Sequence, residues 1–275
     1  MPGEVVAAMA AGEAAGRGVV RVTLRHEGRL NAMSRAMWRQ LRTVFQDIQR
    51  SDGVRCVLIE GAGEAFCAGG DISEYPAFRF DPAQLRDFHE SDVWGGLAAM
   101  LDCDVPIVAR IAGACMGAGV EIASCCDIRI AAAGARFGAP IAKLGFPMAP
   151  REAALVAGAV GDVTARQMLL EAATFSAAEM AQRGFLSRVV DTEQLDAQAL
   201  GTALRIAALA PGAARLNKQT LRAIRKNVQL APDQQAQAAS DLIANNALAD
   251  PYAYADSAEH REGINAFLAK RAPVF

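Results

Sequence analysis

The chain has 275 residues and a formal net charge of −2, from 28 basic and 30 acidic side chains. With 52% hydrophobic and 21% charged residues it can bury a core without covalent staples, as one large domain or one domain with a small appendage. Balanced charge excludes nucleic-acid binding driven by phosphate contacts, the apolar content excludes general disorder, and no apolar run reaches the length of a membrane-spanning helix.

In chain order, residues 1–18 hold one short apolar run, Val5–Ala11, between Glu4 and Glu13. They lack both the basic start of a secretory signal and the Arg-rich, acid-poor pattern of a mitochondrial one, and are expected to form a loose tail on a cytoplasmic protein. Val19–Leu24 predicts a first strand. Met37, Leu41, Phe45 and Ile48 then recur at helical spacing behind Ser34, a natural N-cap. Val54–Ile59, an apolar run between two Gly-containing turns, predicts a buried strand. A helical stretch near His89–Leu101 precedes a strand at Pro106–Ile111, a small-residue segment, a helix at Gly117–Cys126 and a strand at Asp127–Ala132. This alternation continues to about Val190 and implies an α/β body of parallel strands with helical crossovers.

Past Asp191 the strand patterns stop. Thr192–Ala210, Gly212–Leu230, Gln234–Leu248 and Ser257–Arg271 read as helices, broken by Pro211, Pro232 and Pro251. The expected division is therefore a tail at 1–18, an α/β body at 19–191 and a helical region at 192–275, whose apolar faces need something to pack on. None of the six cysteines forms a C-x-x-C pair, so they are expected to be reduced and buried; three histidines argue against a His-rich metal site.

Two small-residue segments are candidates for chemistry. One is Ala65-Phe66-Cys67-Ala68-Gly69-Gly70-Asp71-Ile72, directly after a strand; the other is Ile111–Glu121, which contains Gly117-Ala118-Gly119. Small side chains let a ligand approach the backbone and leave N–H groups aimed at it, and in the second segment those groups open a helix. Glu121, one turn past Ala118, places a carboxylate beside that anion hole. A Gly-rich turn alone is often only tight packing, and a lone helical Glu is usually solvated; together the two segments are more specific.

At these residues the sequence resembles the crotonase, or enoyl-CoA hydratase/isomerase, superfamily. The resemblance runs from Arg29-Leu30-Asn31-Ala32 through Phe66–Ile72, Gly113–Asp127 and Phe175–Val190 to the C-terminal Glu262–Phe275, nearly the whole chain in order. It implies a spiral of ββα units capped by a helical region that assembles a homotrimer, often a dimer of trimers. It also implies an acyl-CoA thioester substrate, with coenzyme A entering as part of that substrate and no separate cofactor. The thioester oxygen would be held by the backbone N–H groups of Gly70 and Ala118. Ala68 and Gly69 would border the adenine and pantetheine, with Asp71 and Ile72 on the same turn and Gly117 beside the hole. Trp94 would line the acyl pocket with its helix, and Lys270 would reach a CoA phosphate, its own or a neighbouring subunit's.

One departure matters. Hydratases of this family use two glutamates; Glu121 matches the first, but Ile141 stands at the second, and residues 128–151 contain no Asp or Glu. Double-bond isomerisation is thereby disfavoured, and Ala149 at the nucleophile position disfavours dehalogenation. Glu152 could substitute only if its turn folds inward, and His89 could act as an unconventional acid or base. The expected activity is water addition to a 2-enoyl-CoA with Glu121 as the single catalytic carboxylate. The alternatives on the same scaffold are decarboxylation, for which an apolar wall at Ile141 suits a desolvated carboxylate, thioester hydrolysis, and acyl-CoA binding without turnover.

Overall fold

Alternating burial along the strands builds the central sheet. The computed structural model describes residues 2–227 and 252–275. Its strands are β1 (Glu4–Met9), β2 (Val19–Arg25), β3 (Cys56–Gly61), β4 (Ile107–Ile111), β5 (Ala114–Met116), β6 (Ile128–Ala132), β7 (Arg136–Gly138), β8 (Thr174–Ser176) and β9 (Arg188–Val190). A large sheet has the order β1-β2-β3-β4-β6-β9, parallel except at the β1–β2 edge, and a small one the order β5-β7-β8. Val20, Val22, Leu24, Val57, Ile59, Ile107, Ala109 and Ile111 face an inner core, while Val19, Cys56, Leu58, Val108 and Ile130 face an outer layer.

The helices are α1 (Glu13–Gly16), α2 (Arg35–Arg50), α3 (Pro82–Asp87), α4 (Trp94–Asp102), α5 (Ala118–Ser124), α6 (Pro150–Val160), α7 (Asp162–Leu170), α8 (Ala177–Gln182), α9 (Leu195–Ala207), α10 (Pro211–Asn227) and α11 (Ala258–Leu268), with a π-helical turn at Phe88–Val93. Ser34 caps α2, its hydroxyl accepting from the Met37 N–H, and Met37, Trp38, Leu41, Phe45 and Ile48 bury the predicted face. After β4 the chain turns into β5 and then α5; after β6 it turns into β7 and then α6. Each repeat thus contributes one strand to each sheet and then a helix. The segment after β3 follows the same path, pairing at Cys67 with Cys115 and at Gly70 with Met33.

Two expectations are corrected. Residues 4–9 are not a loose tail: they form an antiparallel edge strand on β2, with Glu4 opposite Arg25 and Met9 opposite Val20. The Val5 N–H donates to Gln40 Oε1 at 2.8 Å, and Ala14 of α1 packs into the outer layer. The run is too short and half-exposed to announce itself, yet it covers an otherwise open sheet edge. The position 191 boundary separates strands from helices but does not separate cores. Leu195, Ala199, Ala203 and Ala207 of α9 form one buried layer with the outer face of the large sheet. The expected helix at Gln234–Leu248 lies outside the described residues. All six cysteines are free and buried, and burial pushes the thiols of Cys56, Cys67 and Cys126 up to about 12.

Candidate active site

A cavity of about 370 Å³ opens where the segment after β3 meets the start of α5. The two run side by side: Cys67 N–H donates to Ala114 O and Met116 N–H to Cys67 O, both at 2.9 Å. Ala68, Gly69, Gly70, Ile72, Gly117, Ala118, Glu121 and Ile141 all line this cavity. Among the described residues the N–H groups of Gly70 and Ala118 make no hydrogen bond, so both are available to an oxygen in the cavity. The turn that aims the Ala118 N–H depends on Gly117, whose φ of +47° and ψ of −110° strain any residue with a side chain.

Glu121 is set in the only element of the chain whose every residue is buried among the described helices, α5. Burial pushes its carboxyl up to about 8, and the charge of Glu152 pushes in the same direction. Both influences favour its protonated, neutral form. The named influence of Glu152 is itself a finding: the first turn of α6 folds inward, leaving Glu152 2% exposed. Glu152 Oε1 lies 3.1 Å from His89 Nδ1, and His89 lines the cavity. The Nδ1 proton is assigned from this bond, which leaves Nε2 as the free ring nitrogen. So Ile141 stands at the position of the resemblance's second glutamate, but a carboxylate from the next helix approaches from behind an imidazole.

His89 is held by its own neighbours. It stands on the π-helical turn, whose buried Asp92 accepts from Arg35 Nε at 2.6 Å and from Arg39 Nε at 2.7 Å. These bonds fasten the turn to α2. Arg151 reaches Glu90 at 2.9 Å, pinning the same turn to α6 one residue away from the His89–Glu152 pair. A π-turn changes which side chains share a face, and such turns recur at functional sites.

Three expected contacts fall elsewhere. Asp71 does not line the cavity; its buried carboxylate accepts from Arg29 at 2.9 Å and from the Ser73 N–H and hydroxyl at 3.1 and 2.7 Å, capping the turn at Ile72–Ala77. Trp94 packs half-buried against the inner core with the Arg151 guanidinium 5.5 Å from its ring. Lys270 is exposed near the C-terminus and lies outside the cavity of this chain. Conversely, Tyr75, Arg79, Lys143, Phe146 and Met148 line the cavity and carried no signal in the sequence, because the segments at 72–80 and 140–149 have no periodicity; Phe88, on the π-helical turn, lines it as well. The Tyr75 hydroxyl sits against Gly70: a Cβ added there would collide with it.

The chain is similar to known proteins over most of its length. The family model described as enoyl-CoA hydratase/isomerase matches residues 14–275. A Mycobacterium bovis protein named "Probable enoyl-CoA hydratase echA8" is 31% identical over 255 residues, 92% of this chain and 93% of that protein. The mouse mitochondrial enoyl-CoA hydratase domain-containing protein 3 is 29% identical over 262 residues, 94% of this chain and 81% of that protein. Among solved structures, an enoyl-CoA hydratase/carnithine racemase from Magnetospirillum magneticum aligns with a TM-score of 0.83 at 33% identity, covering 94% of this chain and 92% of that one.

Proposed function

This chain belongs to the enoyl-CoA hydratase/isomerase family, and on that premise we propose that it adds water across the double bond of a 2-enoyl-CoA. The observation that carries the proposal is the convergence, in one cavity, of the Glu121 carboxyl, the His89 imidazole and the unpaired N–H groups of Gly70 and Ala118. Coenzyme A enters as part of the substrate. His89 Nε2 takes a proton from water as the water oxygen bonds to C3. The π pair of the C2–C3 double bond shifts to form a C1–C2 double bond as the carbonyl π pair moves to the thioester oxygen, where the two backbone N–H groups hold the developing charge. The neutral Glu121 carboxyl then gives its proton to C2, and the thioester carbonyl reforms. Glu152 holds the imidazole in one tautomer and stabilises the imidazolium. Glu121 is thus an acid with a separate base, where a single carboxylate was expected to serve both ends of the addition.

The test is mass spectrometry of products from a panel of enoyl-, malonyl- and saturated acyl-CoA thioesters. A 3-hydroxyacyl-CoA that disappears in Glu121→Gln supports hydration. Free CoA from the saturated thioesters, loss of CO₂ from the malonyl ones, or binding of every thioester without turnover would each overturn it.

We further propose that the chain assembles as a homotrimer or a dimer of trimers through its helical region. Support comes from the apolar side chains exposed there: Leu221 on α10, and Phe267 and Leu268 at the end of α11, the last two 81% and 73% exposed. In such an assembly the exposed Lys270 would be free to meet a CoA phosphate of a neighbouring subunit.

A further inference from the structure

The cavity is walled by apolar groups, among them Phe88, Ile141, Leu144 and Met148, yet a guanidinium stands inside it. Arg79 lies with its guanidinium carbon 3.6 Å from the Phe146 ring centroid and 4.5 Å from that of Tyr75. Elsewhere in the fold, several partly buried arginines face carboxylates, Arg21 with Glu60, Arg35 with Asp92 and Arg222 with Asp104, and others such as Arg55 and Arg215 donate to backbone carbonyls. Arg79 faces none among the described residues. Burial lowers its pKa, and only the Tyr75 hydroxyl opposes that shift. Two ring faces hold the cation in place, but they cannot satisfy its N–H fork.

We propose that Arg79 is the receptor for a carboxylate on the acyl group, so that the preferred substrate is a short acyl-CoA whose chain ends in a carboxylate. The proposal rests on the cavity being the acyl-thioester site. A planar guanidinium with free N–H groups matches a carboxylate in a bidentate pair, and in an apolar cavity that pair discriminates strongly against an uncharged chain end. Position sets the chain length. The Tyr75 hydroxyl touches Gly70, whose N–H is half of the oxyanion hole, and the Arg79 guanidinium lies over the same tyrosine ring. Thioester oxygen and carboxylate are therefore separated by about the span of one aromatic side chain, a few carbon atoms. The phosphates of coenzyme A lie a full pantetheine arm from the thioester, too far to occupy this point.

The experiment compares three short enoyl-CoAs: crotonyl-CoA, 4-carboxybut-2-enoyl-CoA and the methyl ester of the latter. Turnover is measured by kcat/KM, and calorimetry on the saturated counterparts provides affinities. The carboxylate compound is expected to exceed its ester by about 10²-fold, and Arg79→Met to bring that ratio close to one, with Arg79→Lys in between. Equal values for acid and ester in the wild type would overturn the proposal. So would an Arg79→Met protein of native melting temperature that keeps the ratio, or one whose affinity for free coenzyme A falls as much as that for the carboxylate thioester. Failure of the underlying reading is distinct: no thioester would then bind, the neutral crotonyl-CoA included.

Discussion

Glu121 is buried at the wall of the cavity, and its proton is the simplest place to read the site. Its carboxyl is pushed up to about 8, against an ordinary value of 4.5. Between those limits the folded chain holds a proton that the unfolded chain has released, so stability falls as pH rises and levels off above about pH 8. Glu121→Gln removes that loss. Its gain in stability over the wild type should be absent near pH 4.5 and reach on the order of 1–3 kcal/mol by pH 7.5, read from urea unfolding at several pH values. Activity moves the other way, because Glu121→Gln has no proton to give. In the wild type, turnover should fall as pH rises through about 8. The negative charge of Glu152 contributes to that value, so Glu152→Gln should move the alkaline limb of the kcat profile to lower pH while lowering kcat. Gly117→Ala tests the oxyanion hole by another route. With φ at +47° the added methyl strains the turn by about 1–3 kcal/mol and disturbs the aim of the Ala118 N–H, so kcat should drop with little change in KM.

At the scale of elements, the alanine that dominates the composition has a use on α9. Ala199, Ala203 and Ala207 repeat every fourth residue and let the helix axis approach the large sheet closely, while Asp196 near its start binds Arg21 at 3.3 Å. Ala203→Leu should cost about 1–3 kcal/mol by overpacking this layer, visible as a lower midpoint in urea with an unchanged slope. Legibility in the sequence followed the same physics. The face of α2 was readable because Met37, Leu41, Phe45 and Ile48 repeat at 3.6 residues, and the segment around Gly117 because smallness and a carboxylate coincide within one turn. The edge strand at Glu4–Met9 was not, since one half-exposed hairpin partner has no pattern of its own. Nor was the His89–Glu152 pair readable, for its members are 63 residues apart and meet only because α6 packs its first turn inward against a π-turn. Arg79 and Tyr75 sit on a segment whose course is set by Phe78, Phe88 and Phe146 closing on the Tyr75 ring, a tertiary event without a local signature.

At the scale of the molecule, assembly and chemistry can be separated. Sedimentation velocity should give a trimer or hexamer of the 28.9 kDa chain, and Phe267→Asp, which puts a charge on an exposed apolar helix end, should shift it to smaller species. A wild-type monomer at micromolar concentration would overturn the assembly proposal. The buried thiols have a practical consequence for every assay named above. All six cysteines are enclosed, and those in the core are held far from the thiolate form that reacts with disulfide reagents. In its folded state the protein should therefore be silent to Ellman's reagent, and any yellow colour that develops during turnover belongs to released coenzyme A. The same reagent, added with urea, becomes a clock for unfolding, since six sulfurs come into view only when the two cores open.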